Sequence, residues 1–279
     1  MTATWTRLAV RPSAPARRGA VSEALFASGS QGLHEDGEWL VTHLEPGAAT
    51  ASYLAAVLAA DAESSCEVSD VAPVDWTAMM RERITAHTLG TLTVAPPWLA
   101  DQYDPRTTIV IEPAMAFGTG EHATTRGVVR LMQAVVRAGD TVADLGAGSA
   151  VLAIAAAKLG ATRVVAIEMD PDAISNAEEN VGRNQVEGRV TVIEGDATVL
   201  LPFVAPVRVV LANIISSVLV ELLPVMRAAL ANDGVAILSG ILFEERARML
   251  AALAAGGWRV LAEDAEEQWW SVAAAPGLA

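Results

Sequence analysis

The feature that most constrains this fold is a regular alternation of strand-like and helix-like segments in the second half of the chain. The strand-like segments are almost continuously apolar, and they are TVADLG, RVVAIEMD, RVTVIEGD, PVRVVLANI and GVAILSGI. Helix-like segments stand between and after them, among them AVLAIAAAKLG, PDAISNAEENVGRN, VLVELLPVMRAAL and EERARMLAALAA. Such strands are typical of a parallel sheet with helices on both faces. The pattern therefore predicts an α/β domain with a doubly wound open sheet.

The N-terminal part of the chain has a different pattern, which predicts a separate small domain. Short stretches follow one another from Trp5 to about Val71 in the order strand, helix, strand or hairpin, helix, strand. That order suits a small α+β sandwich of the ferredoxin type over residues 1–72. The segment VDWTAMMRERITA predicts a connector helix within a linker at 73–95, and the α/β domain follows at 96–279.

Composition and charge exclude several classes of function. The single cysteine, Cys66, cannot form an intramolecular disulfide or a thiolate zinc site, and the histidines are too scattered for metal-ligand spacing. No stretch of about 18 residues is free of charge and proline, and the N-terminus lacks a secretory-signal pattern. The formal net charge of -14 disfavours tight nucleic-acid binding and would attract a basic partner, although many soluble proteins are acidic for solubility alone. We expect a cytoplasmic monomer without a metal that binds neither membrane nor nucleic acid.

Polar and glycine residues stand at the carboxyl ends of four predicted strands. In an open parallel sheet, ligands bind in the crevice beyond these ends. A glycine turn before a helix N-terminus lets a ligand approach the backbone. A buried amide such as that of Asn213, which interrupts the apolar run VVLANIISS, needs hydrogen-bond partners. The candidate residues are Asp144, Gly146, Gly148, Glu168, Asp196 and Asn213.

A glycine turn with an acidic residue about twenty positions later is common to two classes of cofactor site. The nicotinamide dinucleotide fingerprint needs Gly or Ala at the sixth position of G-x-G-x-x-G, where this chain has Val151. A cofactor with ribose and adenine but no phosphate fits better, which favours S-adenosylmethionine and a class I methyltransferase sheet over a nicotinamide oxidoreductase. Glu168 would then accept from both ribose hydroxyls, Asp196 would face the adenine amino group, and Asn213 would lie where the methyl group leaves. Each residue alone has a simpler explanation, such as a helix cap for Asp196, so the interpretation depends on all four strand ends together.

The stretch AFGTGEHATTR at 116–126 precedes the first strand of the sheet, so it is not the loop between that strand and its helix. We expect it to enter a helix near Thr124 and to lie across the cofactor from the sheet edge, rather than to cradle a phosphate. The residues expected to approach the methionine part from this side are Phe117, Gly118, Gly120 and Thr125.

Several stretches of this sequence resemble the PrmA family, bacterial methyltransferases that modify the eleventh protein of the large ribosomal subunit. They are EPAMAFGTGEHATTR, VADLGAGSAVLAIAAAKLGA with VVAIEMDPDAISNAEENVGRN, VVLANI and LSGIL. The AFGTG-x-H-x-TT pattern is rather specific to that family, whereas D-x-G-x-G-S marks S-adenosylmethionine-dependent enzymes at large. The N-terminal zone agrees with the family in pattern only.

The resemblance implies an N-terminal domain that grips the substrate protein, a mobile connector, and a catalytic domain that converts S-adenosylmethionine to S-adenosylhomocysteine. It implies methylation of several lysine amines and of the N-terminal α-amine of large-subunit ribosomal protein eleven, before ribosome assembly. The family's cofactor contacts fall on Thr125, Gly146, Glu168 and Asn213. Two residues depart from the family pattern, because Glu168 stands where Asp is usual and Ala150 where Gly is common. The stretch after Asn213, IISSVL, also differs.

Methyl transfer from a sulfonium needs no proton on the leaving group, so positioning is the main task of such a site. A lysine amine must first lose a proton, which costs about 4.6 kcal/mol at pH 7. We hypothesise that desolvation beside a sulfonium lowers that pKa and that the Asn213 side-chain oxygen orients the amine, with no dedicated base. His122 could be such a base, or it could pack and hydrogen-bond within its own loop.

Two other functions stay open at this point. The chain could methylate lysines of a different protein, such as a flavoprotein subunit, within the same lineage. It could also be a catalytically silent cofactor-binding module whose acidic surface holds a basic partner.

Overall fold

The structure is a computed structural model, and it describes residues 5–30, 32–71, 84–113 and 120–277. Packing within the chain divides it into two units, Met1–Glu82 and Arg83–Ala279. The predicted connector helix, VDWTAMMRERITA, lies almost entirely outside the described residues. The domain limits that the sequence suggests at 72 and 95 therefore stay predictions.

The first unit is a four-stranded antiparallel sheet that packs against two helices. Its elements are β1 (Trp5–Arg11), a 3-10 turn (Pro15–Arg17), α1 (Arg18–Ala27), β2 (His34–Asp36), β3 (Trp39–Leu44), α2 (Thr50–Ala60) and β4 (Ser65–Val71). The strand order is β2-β3-β1-β4. Alternate residues of β1, Leu8 and Val10, are buried in one core with Val21 and Leu25 of α1 and Val57 of α2, as expected of a strand with one face on a core. This arrangement confirms the predicted ferredoxin-like α+β fold.

The second unit begins with a small three-stranded sheet. Its elements are β5 (His87–Leu89), β6 (Leu92–Ala95), α3 (Pro97–Ala100) and β7 (Thr108–Val110), and α4 (Ala123–Val135) follows them. The strands β5 and β6 fall within the residues that the sequence assigned to the linker. The Gln133 side chain of α4 accepts from the Thr91 N–H at 2.7 Å and donates to the Leu89 carbonyl at 2.9 Å. These bonds fasten the β5–β6 hairpin to α4.

A seven-stranded sheet and its helices form the rest of the second unit. They are β8 (Thr141–Leu145), α5 (Val151–Lys158), β9 (Arg163–Glu168), α6 (Pro171–Arg183), β10 (Val190–Glu194), α7 (Ala197–Val204), β11 (Val207–Asn213), α8 (Ser216–Ala229), β12 (Leu230–Leu242), a 3-10 turn (Phe243–Glu245), α9 (Arg246–Ala255), β13 (Trp258–Glu266) and β14 (Trp269–Pro276). The strand order is β10-β9-β8-β11-β12-β14-β13. The strands from β10 to β12 pair in parallel, and β14 and β13 pair antiparallel.

Two hydrophobic clusters cover the two faces of this sheet. Val142 and Val209 belong to one cluster, together with buried residues of α4, α5 and α6. Their neighbours Ala143 and Val210 belong to the other, together with buried residues of α7, α8 and α9. Because successive residues of a strand point to opposite faces, this division confirms the predicted doubly wound α/β fold. The chain order changes direction between β8 and β11, which makes their shared edge the switch point of the sheet.

Helix α7 is present in the structure but was not predicted from the sequence. Its sequence, ATVLLPFV, has no polar face and contains Pro202, so it gives no helical period. The helix forms because the Asp196 side chain caps its N-terminus and because Leu201 and Val204 are buried in the core. No helix within the described ranges is long and apolar enough to cross a membrane.

The C-terminus of α6 generates a prediction about stability. Gln185 has a φ of 56°, and the hydrogen bonds from Gln185 N to Gly182 O and from Val186 N to Val181 O form a Schellman motif. A left-handed conformation costs an L-residue roughly 1–2 kcal/mol. Glycine avoids this cost, but it loses more backbone conformational entropy on folding, which destabilises the folded state by about 0.5–1 kcal/mol. We therefore expect Gln185→Gly to raise the free energy of unfolding by up to about 1 kcal/mol, measured by urea denaturation and circular dichroism.

The matched control is Gln185→Ala, which keeps the β-carbon at this exposed position. It should give no such gain, and an equal gain in both variants would show that the backbone conformation is not the cause.

Candidate functional site

A cavity of about 390 Å³ opens at the carboxyl ends of the parallel strands, at the switch point of the sheet. Gly146 follows β8, Glu168 ends β9 and Asp196 follows β10, and all three line this cavity. Most of the remaining lining is apolar, from Leu145, Ile167, Met169, Ala197, Ile214, Ile215, Val218 and Leu222. A concave, largely apolar surface with a few polar groups is typical of a small-molecule site.

The Glu168 carboxylate organises the loops on both sides of it. Its Oε2 accepts from the Gly148 N–H at 2.7 Å, and its Oε1 accepts from the N–H groups of Met169 and Asp170 at 2.8 and 2.9 Å. A carboxylate offers about four acceptor positions, so these bonds leave one on Oε2. That position can accept a hydrogen bond from one ligand hydroxyl. From the sequence we expected Glu168 to accept from both ribose hydroxyls.

The turn between β8 and α5 uses backbone conformations that favour glycine. Gly146 and Gly148 have φ values of 67° and 52°. A β-carbon at Gly146 would lie 2.6 Å from Cγ2 of Ile214, so a larger residue would displace that side chain from the cavity wall. Ala150 is also left-handed, with a φ of 63°. Glycine is common at this position in the family that the sequence resembles. Ala150 adopts the left-handed conformation although it has a β-carbon.

Asp144 in β8 is a fully buried carboxyl group with one oxygen in a hydrogen bond. Its Oδ2 accepts from the Ala153 N–H at 3.0 Å, and its Oδ1 has no partner among the described residues. Burial raises the pKa of Asp144 to about 7, the nearby Glu168 carboxylate adds to the rise, and the bond from Ala153 opposes it. A buried polar atom of this kind indicates that a hydrogen-bond partner from water or from a ligand belongs beside it.

Asp196 is both a helix cap and part of the cavity lining. Its Oδ1 accepts from the Thr198 N–H and from the Thr198 hydroxyl, each at 2.7 Å. These two bonds lower the pKa of Asp196. The carboxylate is exposed, so it stays charged at neutral pH at the mouth of the cavity. The helix-cap explanation is therefore correct, and it does not compete with a role towards a ligand.

Asn213 at the end of β11 is joined to the start of α4. Its Nδ2 donates to Oγ1 of Thr124 at 3.1 Å and to Oγ1 of Thr125 at 3.5 Å. Both threonines are fully buried. The amide oxygen takes no part in these bonds, so it is the acceptor that Asn213 can offer to a ligand. The sequence reading chose Thr125, whereas Thr124 makes the shorter bond to Asn213.

His122 is the N-cap residue of α4. Its Nδ1 lies 2.7 Å from Oγ1 of Thr124 and accepts from the Thr124 N–H at 3.4 Å. Its ring meets that of Trp269 edge-on, with 4.9 Å between the centroids. Burial lowers the pKa of His122, Arg126 lowers it further, and Glu267 opposes them. These contacts are those of a histidine that caps its own helix and packs against β14, and its role as a base is tested below.

Ion pairs fasten α4 to the antiparallel hairpin of β13 and β14. Arg126 pairs with Glu266 at 2.6 Å and also donates to the carbonyl of Glu121 in the loop before the helix. Arg130 makes two bonds to Asp264, at 2.8 and 2.5 Å. Paired, forked bonds of this kind fix an orientation as well as a distance. They hold the end of α4 that carries Thr124 beside Asn213.

Three further residues, Phe117, Gly118 and Gly120, were predicted from the sequence to approach the cofactor. Phe117 and Gly118 lie outside the described residues. Gly120 has a φ of 88° and packs against Val94, where a β-carbon would lie 2.5 Å from Cγ1. The described contacts of Gly120 therefore join it to β6. No group of three or more His, Cys, Asp or Glu side chains in the described ranges could hold a metal ion.

One residue that the sequence reading did not single out is Gly240 in β12. It has a φ of 82°, and a β-carbon there would lie 2.8 Å from the carbonyl carbon of Ile214. Glycine at this position lets the backbone after Asn213 approach β12 closely. A glycine inside an apolar strand, as in LSGIL, is a known sign of such an approach, so the sequence did carry this signal.

Comparisons with known proteins give a consistent result. Residues 26–276 match the family model described as ribosomal protein L11 methyltransferase (PrmA). A protein named ribosomal protein L11 methyltransferase from Pelotomaculum thermopropionicum is 40% identical over 226 residues, which cover 79% of this chain and 73% of that protein. One with the same name from Thermus thermophilus is 38% identical over 200 residues, which cover 72% and 77%. The crystal structure of a ribosomal protein L11 methylase from Lactobacillus delbrueckii subsp. bulgaricus superposes with a TM-score of 0.62 at 28% identity, over 70% of this chain and all of that one.

The raised pKa of Asp144 generates a prediction about stability and pH. Between 3.8 and about 7, the folded protein holds a proton that the unfolded chain has released, so stability falls as the pH rises through this window. Asp144→Asn is uncharged at every pH. We expect the stability of Asp144→Asn relative to the wild type to grow from pH 5 to pH 8, by at most about 3 kcal/mol, because about two pKa units of the window lie above pH 5.

Thermal denaturation at several pH values measures this difference. Glu194→Gln is the control, because Glu194 is an exposed carboxylate at the same end of the sheet. A difference between Asp144→Asn and the wild type that stays constant across the pH range would contradict the prediction.

Proposed function

Since this chain belongs to the ribosomal protein L11 methyltransferase (PrmA) family, we propose that it transfers methyl groups from S-adenosylmethionine to amines of ribosomal protein L11. The acceptors are lysine side-chain amines and the N-terminal α-amine. The observation that carries this proposal is the cavity at the switch point, with Glu168, the glycine turn and Asn213 around one edge of the sheet. The ferredoxin-like unit would bind the substrate protein.

The residues of the cavity fit an adenosine group that carries a positively charged substituent. Glu168 has one acceptor position left for a ribose hydroxyl, and Asp196 offers an exposed carboxylate to the adenine amino group. The apolar side chains of Ile167, Ile214 and Leu222 suit the faces of the purine. The buried Oδ1 of Asp144 still needs a hydrogen-bond partner. We propose that Gly146 and Gly148 bring the backbone close to this ligand, with Thr125 on its other side.

Several carboxyl groups surround the proposed site. Glu168 and Asp196 line the cavity, and Asp144 is buried close enough to Glu168 to have its pKa raised by it. A cavity with acidic groups favours cations electrostatically. The sulfonium of the cofactor carries positive charge, so this arrangement supports its binding.

S-Adenosylmethionine, when bound, supplies a methyl group on a sulfonium, and its loss needs no acid catalyst. The task of the chain is therefore to hold a neutral amine in line with that group. We propose that Oδ1 of Asn213 accepts an N–H bond from the amine, because Thr124 and Thr125 fix the orientation of the amide through Nδ2. The amine must first lose its proton to solvent, at a cost of about 4.6 kcal/mol for a free lysine at pH 7. Desolvation beside a second cation lowers that cost.

Intact-mass analysis of L11 tests the proposed function. We expect purified L11 to gain mass in steps of one methyl group when it is incubated with this protein and S-adenosylmethionine. An unrelated basic ribosomal protein is the control, and it should gain nothing. Calorimetry on the same preparation measures S-adenosylmethionine binding separately. Cofactor binding without any gain in L11 would contradict L11 as the substrate and would favour another lysine-bearing protein or a silent binding module.

The role of Asn213 generates a second test. Asn213→Ala removes the oxygen that orients the amine, and we expect kcat to fall by about a hundredfold while the KM for L11 changes little. His122→Asn is the matched variant, because asparagine still caps α4 but does not titrate. We expect this variant to keep the pH-rate profile of the wild type.

The opposite result for either variant would contradict the role assigned to that residue. Near-normal turnover in Asn213→Ala would contradict its role in orienting the amine. Loss of one limb of the pH-rate profile in His122→Asn would instead identify His122 as the general base.

A further inference from the structure

Helix α6 and its C-cap carry two buried asparagines, which lie four residues apart. They are Asn180 and Asn184, which are 0% and 7% exposed. Buried amide side chains need hydrogen-bond partners, and each of these two accepts from a backbone N–H in the segment from β7 to Glu112. That segment leads towards the AFGTG stretch. The two asparagines have similar chemistry, and they differ in what else they touch.

Asn184 contacts β7 and its own helix. Its Oδ1 accepts from the Val110 N–H at 2.8 Å, and its Nδ2 donates to the Val110 carbonyl at 2.7 Å. The same Nδ2 donates to the carbonyl of Asn180 at 2.8 Å. Asn184 therefore bonds both backbone groups of Val110 in β7, as a neighbouring strand would.

Asn180 joins two segments that are far apart in the sequence. Its Oδ1 accepts from the Glu112 N–H at 3.0 Å, and its Nδ2 donates to the Ser149 carbonyl at 3.1 Å. Nδ2 also lies 3.3 Å from Oδ1 of Asn176. Ser149 follows Gly148, whose N–H binds the Glu168 carboxylate. A path of direct contacts thus runs from Glu112 through Asn180 to the glycine turn of the candidate site.

The glycine turn needs such a contact from outside. Gly146 and Gly148 lie on either side of Ala147, and Ala150 follows Ser149 in a left-handed conformation. Glycines have the widest choice of backbone conformations, and an alanine at positive φ is strained. A turn of this composition is held in one shape by the groups around it rather than by its own preferences. Asn180 is suited to this because its side chain donates and accepts at once.

We propose that Asn180 is a positioning residue for the cofactor, which fixes the glycine turn through the Ser149 carbonyl and couples it to the segment at Glu112. This inference rests on the proposed function, because it concerns binding of S-adenosylmethionine at that turn. Asn180 acts through Ser149 and Gly148 and does not itself line the cavity. Asn184, which clamps only β7 and its own helix, has no such role.

Calorimetric titration of the full-length protein with S-adenosylmethionine tests this assignment. Asn180→Ala and Asn184→Ala each remove one buried amide from α6 or its C-cap, so both should lower the melting temperature. We expect the Kd of S-adenosylmethionine to rise about tenfold or more in Asn180→Ala and by less than about threefold in Asn184→Ala, at a temperature where both are folded. At saturating cofactor, the kcat of Asn180→Ala should approach that of the wild type, so that the loss appears in KM.

Equal effects of the two variants on Kd would overturn the proposal, and so would an unchanged Kd in Asn180→Ala. Failure of the wild type to bind S-adenosylmethionine would be a failure of the proposed function instead.

Hydrogen exchange on the wild type gives a second test, which does not require the variants to fold. Binding of S-adenosylmethionine should increase protection of the Glu112 amide, which bonds to Asn180, more than that of the Val110 amide, which bonds to Asn184. Equal changes at the two amides would overturn the coupling.

Discussion

Parallel pairing of β8 with β9 on one side and β11 on the other is the constraint on which the rest of the site depends. Parallel strands end at the same edge, so residues far apart in the sequence meet there. Glu168 of β9 reaches the glycine turn after β8, and Asn213 of β11 reaches the start of α4. Neither contact could exist if one of these strands ran antiparallel. The cavity at this edge is the space left where helices diverge to opposite faces at the switch point.

The electrostatics of this edge favour a cation over an anion. Asp144 is buried without a full set of hydrogen bonds, and burial raises its pKa to about 7, so the fold holds this carboxyl group at a cost in stability. Glu168 stays in place because three backbone N–H groups bind it. A phosphate would meet these carboxyl groups unfavourably. A sulfonium would not, which supports the cofactor proposed for this site.

The antiparallel hairpin at the C-terminus also contributes to the site, although it lies at the edge of the sheet. Arg126 and Arg130 of α4 pair with Glu266 and Asp264 of β13. Trp269 of β14 packs against the ring of His122. These contacts set the start of α4, where Thr124 meets Asn213. The last strands therefore position a loop that precedes the whole sheet in the sequence.

The sequence by itself determined the α/β class, the ferredoxin-like unit and the residues at the strand ends, because apolar periodicity and glycine turns are local properties. It predicted Thr125, whereas Thr124 makes the shorter bond to Asn213, because both threonines follow the same loop and only the position of Asn213 separates them. It also missed α7, whose Pro202 hides the helical period. Only the tertiary structure showed that Glu168 has one acceptor position left and that Asn180 reaches Ser149. Contacts of that kind join segments many residues apart, and their distances depend on how strands pair and helices pack, which no local pattern encodes.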